Sequence, residues 1–105
     1  MRKITALLAL AAPILSACVD QPARVIEPYP FVGRWDCGVS IFTFTNTTYN
    51  NGSDTLPILS VGQDGRNYTL TFAGGYIIGL AAVTATGMTW VSSRSGDQFT
   101  CIRQG

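Results

Sequence analysis

The chain has 105 residues, nearly half of them hydrophobic and 12% charged, with no histidine and a single lysine, Lys3. That size and composition describe one small globular domain and exclude a disordered chain. Without Arg2 and Lys3 of the N-terminal tip, five arginines (Arg24, Arg34, Arg66, Arg94, Arg103) face six carboxylates (Asp20, Glu27, Asp36, Asp54, Asp64, Asp97), a net charge of −1; no basic face is available to neutralise phosphates, which argues against a nucleic-acid partner.

Arg2-Lys3 is followed by the twelve-residue apolar run Ile4 to Leu15. A charged tip and a run of this length have the form of a secretory signal peptide. A spanning helix needs about 20 apolar residues, and Pro13 would interrupt one here. The run ends in Leu15-Ser16-Ala17-Cys18, which resembles the lipobox of bacterial lipoproteins: leucine, two small residues and a cysteine. The resemblance implies a leader over 1–17 and cleavage before Cys18. The Cys18 thiol then takes the lipid, with palmitate-type acyl chains as the anchor. Each buried methylene contributes about 0.8 kcal/mol, so two or three chains hold far better than one. Val19 follows the cysteine where an aspartate would signal inner-membrane retention in enteric bacteria. The implied location is therefore the outer membrane, facing the periplasm. An ordinary leader cut after Ala17 is the alternative.

Three cysteines are an odd number for an exported chain. Assigning Cys18 to lipid leaves Cys37 and Cys101 as one pair in an oxidising compartment. Their bridge would close about 65 residues and stabilise the fold by roughly 4 kcal/mol. With no histidine and no CxxC, the pair does not read as a metal site, and neither metal nor cofactor is expected.

Residues 18–31 form the expected tether. Pro22, Pro28 and Pro30 bias it to extended backbone of about 3.1 Å per residue. From residue 32 to 105 the pattern is short strands separated by turns. "GRWDC" puts Trp35 and Cys37 on one face. "VSIFTFTNT" reads as one strand with Phe42 and Phe44 sharing a face, and "TLPILSV" as an edge strand because of Pro57. Asp64-Gly65 marks a hairpin, and Tyr68, Leu70 and Phe72 alternate with threonines after it. "YIIGLAAV" is apolar on both faces, which predicts the most buried strand, with a bend or bulge at Gly79. Met88 with Trp90, and Phe99 with Cys101, complete the alternation. The expectation is an all-β, antiparallel meander of seven to eight strands, closed or nearly closed into a small barrel and carrying one disulfide. A sandwich is the alternative that this pattern leaves open.

Catalytic chemistry finds little support, because the chain has no histidine to act as a base and Asp54, Asp64 and Asp97 each sit near a glycine in a turn. The chain reads as a non-enzyme. Two stretches could serve binding: the polar segment Asn46 to Thr55, with Asn50 and Asn51 at its centre, and the turn Ser93 to Asp97, with Arg94 and Asp97 at its tip. The plainer reading makes the first a hydrophilic turn and the second a turn decorated by an Arg94–Asp97 salt bridge. The Asn-x-Ser/Thr triplets at Asn46, Asn51 and Asn67 are read as chance in a Thr/Asn-rich β protein.

The lipobox, the cysteines on the first and last strands and the closing "TCIR" (Thr100 to Arg103) together resemble the membrane-bound inhibitors of C-type lysozyme. That family implies a small lipidated periplasmic β-barrel that binds an enzyme through a loop. Ser95-Gly96-Asp97-Gln98-Phe99 carries phenylalanine where the family's loop has tyrosine, and no lysine follows Lys3. The resemblance therefore assigns no inhibitory residue here. The expected role is a lipid-anchored envelope lipoprotein with a protein or envelope partner in the periplasm. The alternatives are inhibition of lysozyme or another hydrolase and a lipocalin-like carrier.

Overall fold

The computed structural model describes residues 27–105. The leader, Cys18 and the first part of the tether lie outside the described residues. Nine antiparallel strands form one sheet: β1 (Gly33–Asp36), β2 (Ile41–Phe44), β3 (Thr48–Asn50), β4 (Thr55–Pro57), β5 (Ser60–Asp64), β6 (Asn67–Thr71), β7 (Ile77–Ala81), β8 (Gly87–Ser92) and β9 (Gln98–Arg103). Their spatial order is β4-β3-β2-β1-β9-β8-β7-β6-β5.

The expected all-β meander is present, with nine strands in place of seven to eight. The sheet curls into a half-barrel that stays open, in contrast to the closed or nearly closed barrel expected. The reason lies in one run of chain. The first and last strands do pair, but in the middle of the sheet, so its edges are β4 and β5, which are consecutive parts of one extended segment. Between them the Ile58 amide donates to the Thr47 carbonyl at 2.8 Å, and the Leu59 amide to the Thr71 carbonyl at 2.8 Å. One run thus serves both edges and cannot pair with itself. Pro57, lacking an N–H, sits in edge strand β4 where the ladder tolerates it.

An extra strand comes from the segment expected to be a polar loop: "VSIFTFTNT" (Val39 to Thr47) is β2 and a turn, and β3 follows it at Thr48. Thr45 makes that turn: its Oγ1 accepts from the Thr47 amide at 3.2 Å and the Thr48 amide at 2.9 Å, and its own amide donates to the Thr48 carbonyl. A hydroxyl that bonds backbone groups two and three residues on reverses the chain without glycine or proline.

The concave face holds the core. Trp35, Phe44, Leu70, Ile78 and Leu80 are buried there, and Phe31, at the end of the expected tether segment, packs among them with no exposed surface. Strand β7 departs from expectation. Ile78 and Leu80 are buried, while Ile77 is exposed and Gly79 and Ala81 are half-buried. A single curled layer has nothing to cover its convex face, so an apolar residue pointing outward stays outward. Gly79 makes no bulge; its register with Thr69 and Val91 is unbroken.

The seam between the first and last strands is short, with Trp35 opposite Arg103 and Asp36 opposite Ile102. One step further along this register sets Cys37 opposite Cys101, and the two are bridged, as expected. Arg103 adds a second fastening. Its Nε donates to the Ala85 carbonyl at 2.7 Å, and its two amino groups donate to the Val32 and Pro30 carbonyls at 2.8 and 2.6 Å. The guanidinium also lies 4.3 Å from the Trp35 ring centroid. Gly33 makes room for it: its φ is +137°, and a Cβ there would collide with the guanidinium. Glycine alone meets both demands.

Candidate functional site

One groove of about 400 Å³ opens beside the short strands β2, β3 and β4. A pleated strand sends alternate side chains inward. That places Phe42 of β2, Tyr49 of β3, Leu56 of β4 and Trp90 of β8 along its floor. Tyr76, just before β7, and Val39 form its apolar sides; Ser40, Asn51, Ser53 and Asp54 form the polar rim. Tyr49 and Tyr76 contribute phenols to the lining, and Asp54 a carboxyl group.

The rim is held by its own side chains. Asn51 Oδ1 accepts from the Ser53 and Asp54 amides at 2.9 Å each, and the Asn51 amide donates to the Asp54 carbonyl at 3.1 Å. Asn50 ties the base, taking the Gly52 amide at 2.8 Å and donating to Thr55 Oγ1 at 2.9 Å. Gly52 has φ +100° and approaches Ser40 so closely that a Cβ would strike its hydroxyl. The loop is therefore preorganised, its backbone donors already spoken for.

The floor is aromatic and polar at once. Trp90 stacks on Phe99 at 5.1 Å and meets Phe42 at 5.1 Å. Its Nε1–H is buried and has no acceptor, alone in that respect among the described residues. Beside it lies the Tyr49 hydroxyl, although the two do not complete a hydrogen bond. Burial pushes the Tyr49 phenol well above its ordinary range, and neighbouring Tyr76 adds to this; the Trp90 N–H partly offsets them. Tyr76 hydrogen-bonds Ser92 Oγ at 3.2 Å.

The structure distributes the residues singled out from sequence as follows. Cys18 lies outside the described residues, and Cys37 and Cys101 form the bridge. Asn51 lines the groove, while Asn50 faces its own loop as a brace. The exposed polar segment is narrower than Asn46 to Thr55, because β3 runs through it and buries Tyr49. Arg94 lies 4.5 Å over the Tyr76 ring, placing a cation behind one groove wall. The Arg94–Asp97 salt bridge is not formed, since stacking draws Arg94 away while Asp97 stays in its turn, its amide on Ser95 Oγ at 3.2 Å. Tyr49 and Trp90 sit at in-facing strand positions, where core aromatics also sit, and Tyr76 precedes β7 in a turn, so no periodic pattern marks any of the three as a groove residue. Among the described residues no three His, Cys, Asp or Glu side chains gather to hold a metal ion, and no helix is long and apolar enough to cross a membrane.

The arrangement offers stacking surface, hydrogen-bond donors at depth and mixed polar groups at the rim. No protein-family model, curated protein or solved structure matches this chain.

Proposed function

We propose that the chain is a lipid-anchored lipoprotein of the bacterial envelope, placed at the outer membrane on the periplasmic side, whose β-domain is a non-catalytic binding module. The observation that carries this reading is the fate of the cysteines. Cys37 and Cys101 are consumed by each other, so Cys18 of the Leu15-Ser16-Ala17-Cys18 motif is the one cysteine thiol left for a lipid. The Asn46 side chain takes hold of the chain at two points, its Nδ2 donating to the Glu27 carbonyl at 3.4 Å and its Oδ1 accepting from the Tyr29 amide at 3.0 Å.

The groove favours one of the ways such a module can work, as a holder of a small ligand. Its volume of about 400 Å³ falls among small-molecule sites. The interior of the half-barrel is filled by Trp35, Phe44 and Leu70, so the ligand sits at the groove and not in a lumen.

Metabolic labelling with an alkyne analogue of palmitate tests the anchor. The chain should carry label and fractionate with membranes, and Cys18→Ser should lose the label and become soluble. An unlabelled wild-type chain in the soluble fraction overturns the reading.

A further inference from the structure

We infer that the groove takes an N-acetylated hexosamine unit of a neutral glycan, with the Tyr49 hydroxyl donating to its acetamido oxygen; this rests on the reading of the domain as a binding module. The deep end of the groove determines the first requirement. It presents the Tyr49 O–H and, behind it, the buried Trp90 N–H with no acceptor. A buried donor without a partner costs about 1–3 kcal/mol. A purely apolar ligand such as an acyl chain would cover the Tyr49 O–H and leave it without a partner, whereas a ligand with an acceptor oxygen takes that proton. With the Trp90 N–H beside it, this end of the groove is supplied with donors and suits an acceptor.

The walls determine the second requirement. Next to those donors, Phe42 and Leu56 present apolar surface suited to a methyl group, and Tyr76 offers an aromatic wall for the C–H face of a ring. At the rim stand one carboxylate, Asp54, one amide, Asn51, and the hydroxyls of Ser40 and Ser53. Vicinal hydroxyls match that set, because a carboxylate accepts two O–H groups and the other groups pair with the rest. Asp54 is the one acidic side chain in the lining and no Arg or Lys joins it there, which disfavours an anionic ligand. An extended peptide fits less well. The adjacent edge strand β4 has three residues and ends in Pro57, a poor template for strand addition.

The test uses the full acylated chain in a detergent without a sugar headgroup. Chitotetraose is titrated in, with cellotetraose as the same backbone lacking the acetamido group, and the readouts are tryptophan emission and calorimetric heat. Chitotetraose should bind saturably and shift emission, and cellotetraose should bind at least about tenfold more weakly. Tyr49→Phe should weaken chitotetraose binding about tenfold, and Trp90→Phe should remove the emission shift while Trp35 still reports a folded core. Asp54→Ala, on the exposed rim, is the control against misfolding and should weaken binding several-fold. Equal affinity for the two sugars, no binding of either at millimolar concentration, or full affinity in both Tyr49→Phe and Asp54→Ala overturns the inference. So does capture of an extended peptide in preference to chitotetraose. A chain that carries palmitate yet ignores both sugars leaves the anchor standing and removes the glycan site alone.

Discussion

Strands β1 to β4 and strands β5 to β9 solve the same problem of holding a curled sheet with different means. In the second group the strands have five or six residues, and the ladder between β8 and β9 runs through five residue pairs. In the first group they have three or four residues, and β2 and β3 share two pairs. What the short strands lack in ladder is supplied by side chains. Thr45, Asn50 and Asn51 bond the backbone in the turns, and Tyr49 packs edge-on to Phe42 and stacked on Phe44 at 4.9 Å. Backbone pairing builds a continuous wall. Side-chain fastening leaves gaps, and the groove lies on the side where that fastening dominates.

If the two groups are held together chiefly at the seam, breaking the seam should have the largest effect. The Cys37–Cys101 bridge closes 64 residues of sequence separation. Cys37→Ala with Cys101→Ala should lower stability by about 4 kcal/mol in denaturant melts. Hydrogen exchange should rise first in β1 to β4, whose ladders are short. Uniform exchange across all nine strands would show that the halves do not differ in the way proposed. Arg103→Met comes next, at about 2 kcal/mol. It keeps a long apolar side chain over Trp35 but removes three hydrogen bonds that tie β9 to the chain before β1 and to the loop before β8. A loss as small as that of an ordinary surface substitution would assign the seam to the disulfide alone.

The same contrast explains what could be read before the structure. Where strands are long and one face is buried, hydrophobicity repeats every second residue, so Tyr68, Leu70 and Phe72, and Met88 with Trp90, were legible as in-facing. Strand β7 misleads because alanine, glycine and isoleucine on a convex face look the same in sequence whether or not a second layer covers them. The turn at Asn46-Thr47 is hidden for a different reason: a threonine hydroxyl makes it, and threonine also stands within the strands on either side, as Thr43 and Thr48. The disulfide was legible from cysteine number once Cys18 was assigned to lipid. The groove was not, since it depends on how β3 and β4 lie against β8, a relation between segments far apart in sequence. Asn51 was found through its loop chemistry, whereas Tyr49 and Trp90 carried no signal that separates a groove floor from a core.

The smallest effect at neutral pH, and the sharpest probe of the side-chain-fastened region, is expected at Tyr49. Its phenol is held above the ordinary value of about 10, chiefly by burial. The folded state therefore keeps a proton that the unfolded chain releases in alkali. The stabilisation is present in full below pH about 10 and declines as the pH climbs beyond it, because the unfolded phenolate is then favoured. Tyr49→Phe keeps the ring on Phe42 and Phe44 and removes the ionisation. At pH 7 the two proteins should unfold at nearly the same urea concentration. Above pH 10 the wild-type midpoint should fall faster, and the variant should become the more stable of the two. Parallel midpoints from pH 8 to 11 would mean that the Tyr49 hydroxyl ionises as freely in the folded chain as in the unfolded one. The floor of the groove would then be wet, and β2 to β4 would be open to water where the packing of Phe42, Tyr49 and Trp90 requires them closed.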